Sequence, residues 1–283
     1  MKWDIGLSTG IAYDHPIREI LPYIADSGFR NLEISTSPGH LNIQDPEEVS
    51  AVARRIHDLG LRVHSLHAPF GAHADFTNLD PHVRWSAMQQ LSHAARALEL
   101  LGGHLYVIHP GGEDSRWVWN REEQLKLSVE SLSTVWTECR ARGLTLIIET
   151  PLPHLLGGQI EDFSWILDRL PTEGVGICLD TSHTFLGGTL YESIERFGSR
   201  LVHVQASDNR GHTDDHLVPG EGIIEWGRVL SSLERIGYQG NFMLEVTGHG
   251  PLQERVSRSA CLIGGTGQAP AGWPTASTVS PSK

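Results

Sequence analysis

The chain has 283 residues, of which 39% are apolar, and 22 basic against 34 acidic side chains give it a net charge of −12. That balance weighs against a nucleic-acid or anionic-membrane partner, because phosphate binding relies on lysine and arginine. The three scattered cysteines, Cys139, Cys178 and Cys261, form neither a disulfide framework nor a zinc ribbon, and with no apolar leader or membrane-length apolar run the expectation is a cytoplasmic chain with no membrane partner.

Ile5–Ser8 is the first apolar, strand-like run, and a helical stretch follows over 16–28. The run Asn31–Ser35 precedes a helix over 46–60, and Arg62–His67 precedes one over 81–102. Runs at 104–109 and 144–149 are followed by helical stretches over 121–143 and 160–170, respectively. Val175–Asp180, 201–205 and 241–246 complete the strand set, with helices expected at 191–197 and 226–237. Several helical stretches open on proline or Asp-Pro and close on glycine, the usual start and stop chemistry. Alternation of strand and helix implies parallel pairing through right-handed crossovers. Eight such units with no break in composition predict one closed (β/α)8 TIM barrel over residues 1–256. An open doubly wound sheet is the alternative, but no Gly-x-Gly-x-x-Gly turn follows the first strand. Residues 257–283, rich in Gly, Pro, Ser and Thr, are expected to form a disordered tail, with room for a short final helix before it.

In such a barrel the chemistry sits at the carboxyl ends of the strands. The third run ends in Ser-Leu-His67-Ala-Pro-Phe70 and the fourth in Val-Ile-His109-Pro-Gly111. The fifth ends at Glu149, and the sixth in Leu-Asp180-Thr-Ser-His183. The seventh carries His203, with Asp214 and His216 in the loop beyond it, and the eighth ends in Met-Leu-Glu245. Strand alternation turns these residues to one face if the larger apolar set packs on the helices. Each has an ordinary explanation alone: a hydrogen-bonded histidine, a paired carboxylate, a helix cap at Asp180, a solvated loop around Asp214. One divalent metal centre explains them together, and mixed imidazole and carboxylate ligands suit zinc, manganese or iron better than calcium.

In this order and at these strand ends, the segments His-Ala-Pro-Phe70, His-Pro-Gly111, Leu-Asp-Thr-Ser-His183, Asp-Asp-His216 through Gly-Glu-Gly222, and Leu-Glu245 resemble the xylose-isomerase-like TIM-barrel superfamily. The resemblance spans roughly Asp4 to Val246. That superfamily holds sugar and sugar-phosphate isomerases and epimerases, and also the endonuclease IV type of abasic-site endonuclease. The first branch implies one divalent ion, manganese or zinc ahead of magnesium or cobalt, held by Glu149, Asp180, His203 and Glu245. Glu149 and Glu245 would then be catalytic, moving a proton through an enediolate. His183, Arg210 and His216 would contact a sugar or sugar phosphate. The second branch implies up to three zinc ions and adds His67, His109, His183, Asp214 and His216 to the ligand set, for phosphodiester hydrolysis. The acidic charge and the lack of a basic run beside the metal motifs favour the isomerase branch. No counterpart of the xylose isomerases' catalytic lysine motif is present, which argues against a hydride shift. A sugar-binding barrel without turnover is a third reading, and association into a homo-oligomer is left open.

Overall fold

The computed structural model describes residues 3–112, 120–247, 251–264 and Trp273. Eight parallel strands close in chain order into one barrel: β1 (Ile5–Ser8), β2 (Asn31–Ser35), β3 (Arg62–His67), β4 (Leu105–Ile108), β5 (Thr145–Glu149), β6 (Val175–Asp180), β7 (Leu201–Ala206) and β8 (Asn241–Leu244). The helices around it are α1 (Ile17–Asp26), α2 (Pro46–Asp58), α3 (Pro81–Leu101), α4 (Arg121–Ala141), α5 (Ile160–Leu167), α6 (Thr181–Leu186), α7 (Leu190–Phe197), α8 (Trp226–Arg235) and α9 (Leu252–Gly264). The expected barrel is therefore the observed one, and strand and helix ends shift by a few residues at most. None of the described helices is long and apolar enough to cross a membrane.

Local chemistry accounts for these elements. The Asp45 carboxylate accepts from the backbone N–H groups of Glu47 and Glu48 ahead of Pro46, and that of Asp80 accepts from His82 N ahead of Pro81. Both are aspartate N-caps with proline in the first turn, where its missing N–H costs nothing. At the far end of α3, Gly102 adopts φ +75°, which lets the chain leave the helix without a Cβ clash.

Outward-facing strand residues such as Leu7, Leu32, Tyr106, Ile148, Leu179, Val204 and Phe242 are buried in the main core shared with the helices. Inside the barrel, Leu105, Val107, Ile147 and Cys178 form a separate small apolar cluster. Polar residues occupy the rest of the interior. Two strand pairs shift register, between Leu32 and Glu33 in β2 and between Ile177 and Cys178 in β6. Such bulges re-aim side chains, and both lie level with a buried polar group inside the barrel.

The expected domain boundary at residue 256 falls inside α9, so residues 257–264 are helical rather than part of a disordered tail. Trp273 is 5% exposed, its ring edge-on to Trp226 at 5.1 Å and to Phe242 at 5.9 Å. Burial of apolar surface holds this distal residue against the barrel. The rest of the expected tail, 265–272 and 274–283, lies outside the described residues.

Candidate active site at the barrel mouth

His67 closes β3, His109 follows β4, Glu149 closes β5 and Asp180 closes β6. Asp180 also caps α6, its Oδ1 accepting from His183 N at 2.7 Å, and this fixes the turn that carries His183. The long segment between β7 and α8 supplies Asp214 and His216, and Glu245 follows β8. All face one cavity of ≈ 390 Å³ or lie directly beneath it. Its other wall is hydroxyl-rich, with Ser8, Ser35, Thr36 and Ser37 from the ends of β1 and β2. This volume suits a small ligand.

Hydrogen bonding defines the state of three imidazoles. His67 Nδ1 lies 2.9 Å from the Ala68 carbonyl, His183 Nδ1 lies 3.0 Å from that of Thr150, and His216 Nδ1 lies 2.9 Å from that of Glu245. A carbonyl only accepts, so each Nδ1 carries the proton. Every Nε2 then faces a carboxylate: Glu149 at 2.9 Å from His67, and Asp214 at 3.1 Å from His183 and 2.8 Å from His216. An ionised carboxylate also only accepts, so each of these contacts requires either a second ring proton or a shared cation. Nδ1 anchored to a backbone carbonyl with Nε2 left free is the usual orientation of a metal-ligating histidine.

Among the described residues, three triplets bring one ligand atom each within 4.8 Å of one another: His67–His109–Glu149, His183–Asp214–His216 and Glu149–Asp180–His183. Glu149 Oε1 lies 3.1 Å from His109 Nε2 and 3.3 Å from His183 Nδ1, yet it has no partner of hydrogen-bond geometry. Asp180 Oδ2 and Glu245 Oε2 are likewise buried without partners. Buried carboxylate oxygens are costly to leave bare. Convergent oxygens and Nε2 atoms fit a divalent cation.

Without a cation, the charges are sorted unevenly. Burial alone would raise Glu149, but His109 and His67 hold it well below the ordinary carboxylate range. Burial, reinforced by the charge of Glu149, pushes Glu245 up to about 8. Burial also takes Asp180 up to about 6 against the pull of His183. His67 and His216 are pushed up to about 10, because Glu149 and Asp214 outweigh the burial that would lower them. Two carboxylates with opposed shifts are the arrangement from which acid and base roles are assigned.

Two sequence expectations do not fit this geometry. His203 is fully buried beneath the mouth, its Nε2 3.0 Å from Glu33 Oε2, and it joins none of the three triplets. It lies too early on β7 to reach the rim. Gln205, two residues nearer the mouth on the same face, is also turned inward: its Nε2 donates to Glu33 Oε1 at 3.0 Å and its Oε1 accepts from Cys178 Sγ. Strand β7 therefore delivers no imidazole to the mouth. Arg210 is also absent from the cavity lining. Its side chain is 64% exposed, and its guanidinium is 4.0 Å from Asp215.

Sequence reasoning missed Glu33, which is buried and held by Ser65 Oγ at 2.7 Å, His203 and Gln205. A signal was present: Asn31, Glu33 and Ser35 alternate with Leu32 and Ile34, so one face of an otherwise apolar strand carries a charge.

A family model described as xylose isomerase-like TIM barrel matches residues 21–263. The chain belongs to this family. Among solved structures, a D-tagatose 3-epimerase-like protein has the same fold, with a TM-score of 0.80 at 23% identity over 90% of this chain and 94% of that one. The D-psicose 3-epimerase of Ruminiclostridium cellulolyticum is 26% identical over 235 residues, 78% of this chain and 75% of its own length. A probable endonuclease 4 of Akkermansia muciniphila is 29% identical over 140 residues, but these make up only 48% of this chain and 49% of that protein. Both branches of the family are thus represented among the relatives, the epimerase over the greater length.

Proposed function

We propose that this chain is a divalent-metal-dependent isomerase or epimerase of a small, uncharged sugar, working by proton transfer through an enediolate. The observation that carries this reading is the pair Glu149 and Glu245, set three strands apart on one cavity, each with a buried carboxylate oxygen that has no hydrogen-bond partner. The family relationship and the length of the epimerase match support it.

The imidazole and carboxylate donors at the mouth suit zinc or manganese, with cobalt or magnesium as weaker fits. Such an ion would polarise a ketose carbonyl and the hydroxyl beside it. Glu149, ionised, takes the proton from the carbon next to the carbonyl. The C–H electron pair becomes the carbon–carbon double bond of the enediolate, and the carbonyl π pair moves to oxygen. Glu245, protonated, returns a proton to the same carbon from the other side for epimerisation, or to its neighbour for isomerisation. Exchange with solvent resets the two carboxyl groups. Ser8, Ser35 and Ser37 supply hydroxyls on the facing wall for the rest of a polyol. Among the described residues, the cavity lining contains neither lysine nor arginine, which supports a neutral sugar over a sugar phosphate.

The test is proton exchange at the carbon beside the carbonyl in a ketose panel, comparing Glu149→Gln and Glu245→Gln with the parent. Each variant is expected to fall by about two to four orders of magnitude, the usual size of a lost general acid or base. Exchange at the parental rate in either variant overturns the assignment.

A second reading draws on one specific observation. The two histidine-rich triplets, His67–His109–Glu149 and His183–Asp214–His216, have room for more than one ion, as in polynuclear phosphodiester hydrolysis. Nicking of an abasic-site duplex that is lost on chelation would favour it. The lack of lysine and arginine in the described lining and the net charge of −12 weigh against it.

A further inference from the structure

Asp214 and His216 lie on a long excursion between β7 and α8, and a solvent-facing loop would not hold two side chains 2.8 Å apart unaided. The base of the excursion contains an aspartate that touches no candidate ligand. Asp208 is fully buried and accepts four hydrogen bonds, none from a charged group. Its Oδ1 takes the backbone N–H groups of Asn209 at 2.9 Å and Ile224 at 3.0 Å. Its Oδ2 takes Gly220 N at 2.9 Å and the Trp226 indole at 2.8 Å. The backbones of Asp208 and Leu217 also exchange two bonds of 2.8 Å. One carboxylate thus ties the end of β7 to the return of the loop and to the first residue of α8.

The clamp extends towards the cavity. Asn209 Nδ2 donates to Ser182 Oγ at 2.9 Å, and Ser182 Oγ donates to Asp214 Oδ1 at 2.5 Å. Ser182 adjoins His183, so the loop and α6 are registered against each other. His216 itself sits at φ +46°, a left-handed conformation that is strained for a non-glycine residue and persists only when its surroundings impose it. Gly222 packs on the same carboxylate, where a Cβ would stand 2.2 Å from Asp208 Oδ1 and 2.3 Å from Asn209 O.

We infer that Asp208 is a positioning residue for the His183–Asp214–His216 group, fixing the loop so that this triplet can hold a cation. This inference rests on the second reading above, in which the His183–Asp214–His216 group holds a cation of its own. Asp208→Asn keeps the shape but places an amide N–H2 where two N–H groups point, and Gly222→Ala crowds the Asp208 carboxylate and the Asn209 carbonyl while leaving the carboxylate's chemistry unchanged.

The experiment titrates Zn2+ into the full chain against a chromophoric chelator, for the parent, Asp208→Asn and Gly222→Ala, with Asp214→Asn marking the binding step that belongs to this triplet. Both variants are expected to weaken that step by about tenfold, the low end of what losing a ligand's direct hydrogen-bond partner costs, and to leave the His67–His109–Glu149 step unchanged. Parental affinity at the marked step overturns the inference while leaving the metal reading intact. Equal weakening of every step also overturns it, since a merely structural residue would act on all of them. A parent chain that binds no Zn2+ overturns the metal reading and the clamp's role together.

Discussion

Replacing Glu33 by methionine removes a buried acceptor from under three donors and keeps nearly the same volume. Ser65 Oγ at 2.7 Å, His203 Nε2 at 3.0 Å and Gln205 Nε2 at 3.0 Å all lose their partner. The serine hydroxyl can turn elsewhere. His203 gains nothing by changing tautomer, because its Nδ1 is also buried without a partner. Gln205 is fixed through its other end by Cys178. Two donors therefore stay unsatisfied, at about 1–3 kcal/mol each, for a loss of about 4 kcal/mol. That is a large fraction of the roughly 5–15 kcal/mol that holds a typical domain. Urea unfolding at neutral pH measures it. The double variant Glu33→Met/His203→Leu removes both sides of one pair, and should be more stable than Glu33→Met by about 1 kcal/mol or more. A single variant within about 1 kcal/mol of the parent, or strict additivity in the double, would refute the view of Glu33 as the acceptor that satisfies the barrel interior.

His64 stacks on His203 with ring centroids 5.4 Å apart, and burial, with His203 and His104 beside it, pushes it down to about 3. Its folded value lies below its unfolded one near 6.5, so the unfolded chain binds more protons between those values and stability falls as pH drops below about 6.5. Between pH 6.5 and 5 the expected loss is at most about 2 kcal/mol, and His64→Leu should flatten that part of the stability–pH curve; an unchanged slope would contradict it. Trp273→Ala should lower stability by about 3 kcal/mol despite its distance from the barrel in sequence, since it empties a buried aromatic contact with Trp226 and Phe242. A melting temperature within a degree of the parent would show that the contact contributes nothing.

The barrel was legible because its signal is repeated. Apolar runs such as Leu105–Ile108 and Thr145–Glu149 recur between stretches with helix start and stop residues, and closure follows from the count of eight. The positions of His67, Glu149 and Asp180 were legible for the same reason: they are the last residues of their strands, where strand direction alone places them at the mouth. His203 was misplaced because β7 runs on to Ala206, a depth that apolar patterning does not set. Glu33 was missed because it sits mid-strand, and its partners Ser65, His203 and Gln205 come from strands far apart in sequence. The end of the barrel was set too early because Gly, Ser and Thr dominate the composition after residue 256, whereas the Trp273 contact is a single tertiary interaction that composition does not carry.

Deuterium incorporation tests the central claim most directly. The metal-loaded chain is incubated with neutral pentuloses and hexuloses in D2O, alongside the chelated protein and an abasic-site duplex. Deuterium at the carbon beside the carbonyl of at least one ketose, lost on chelation and with the duplex intact, is the predicted result. No exchange in any ketose, with metal-dependent nicking of the duplex, would contradict it.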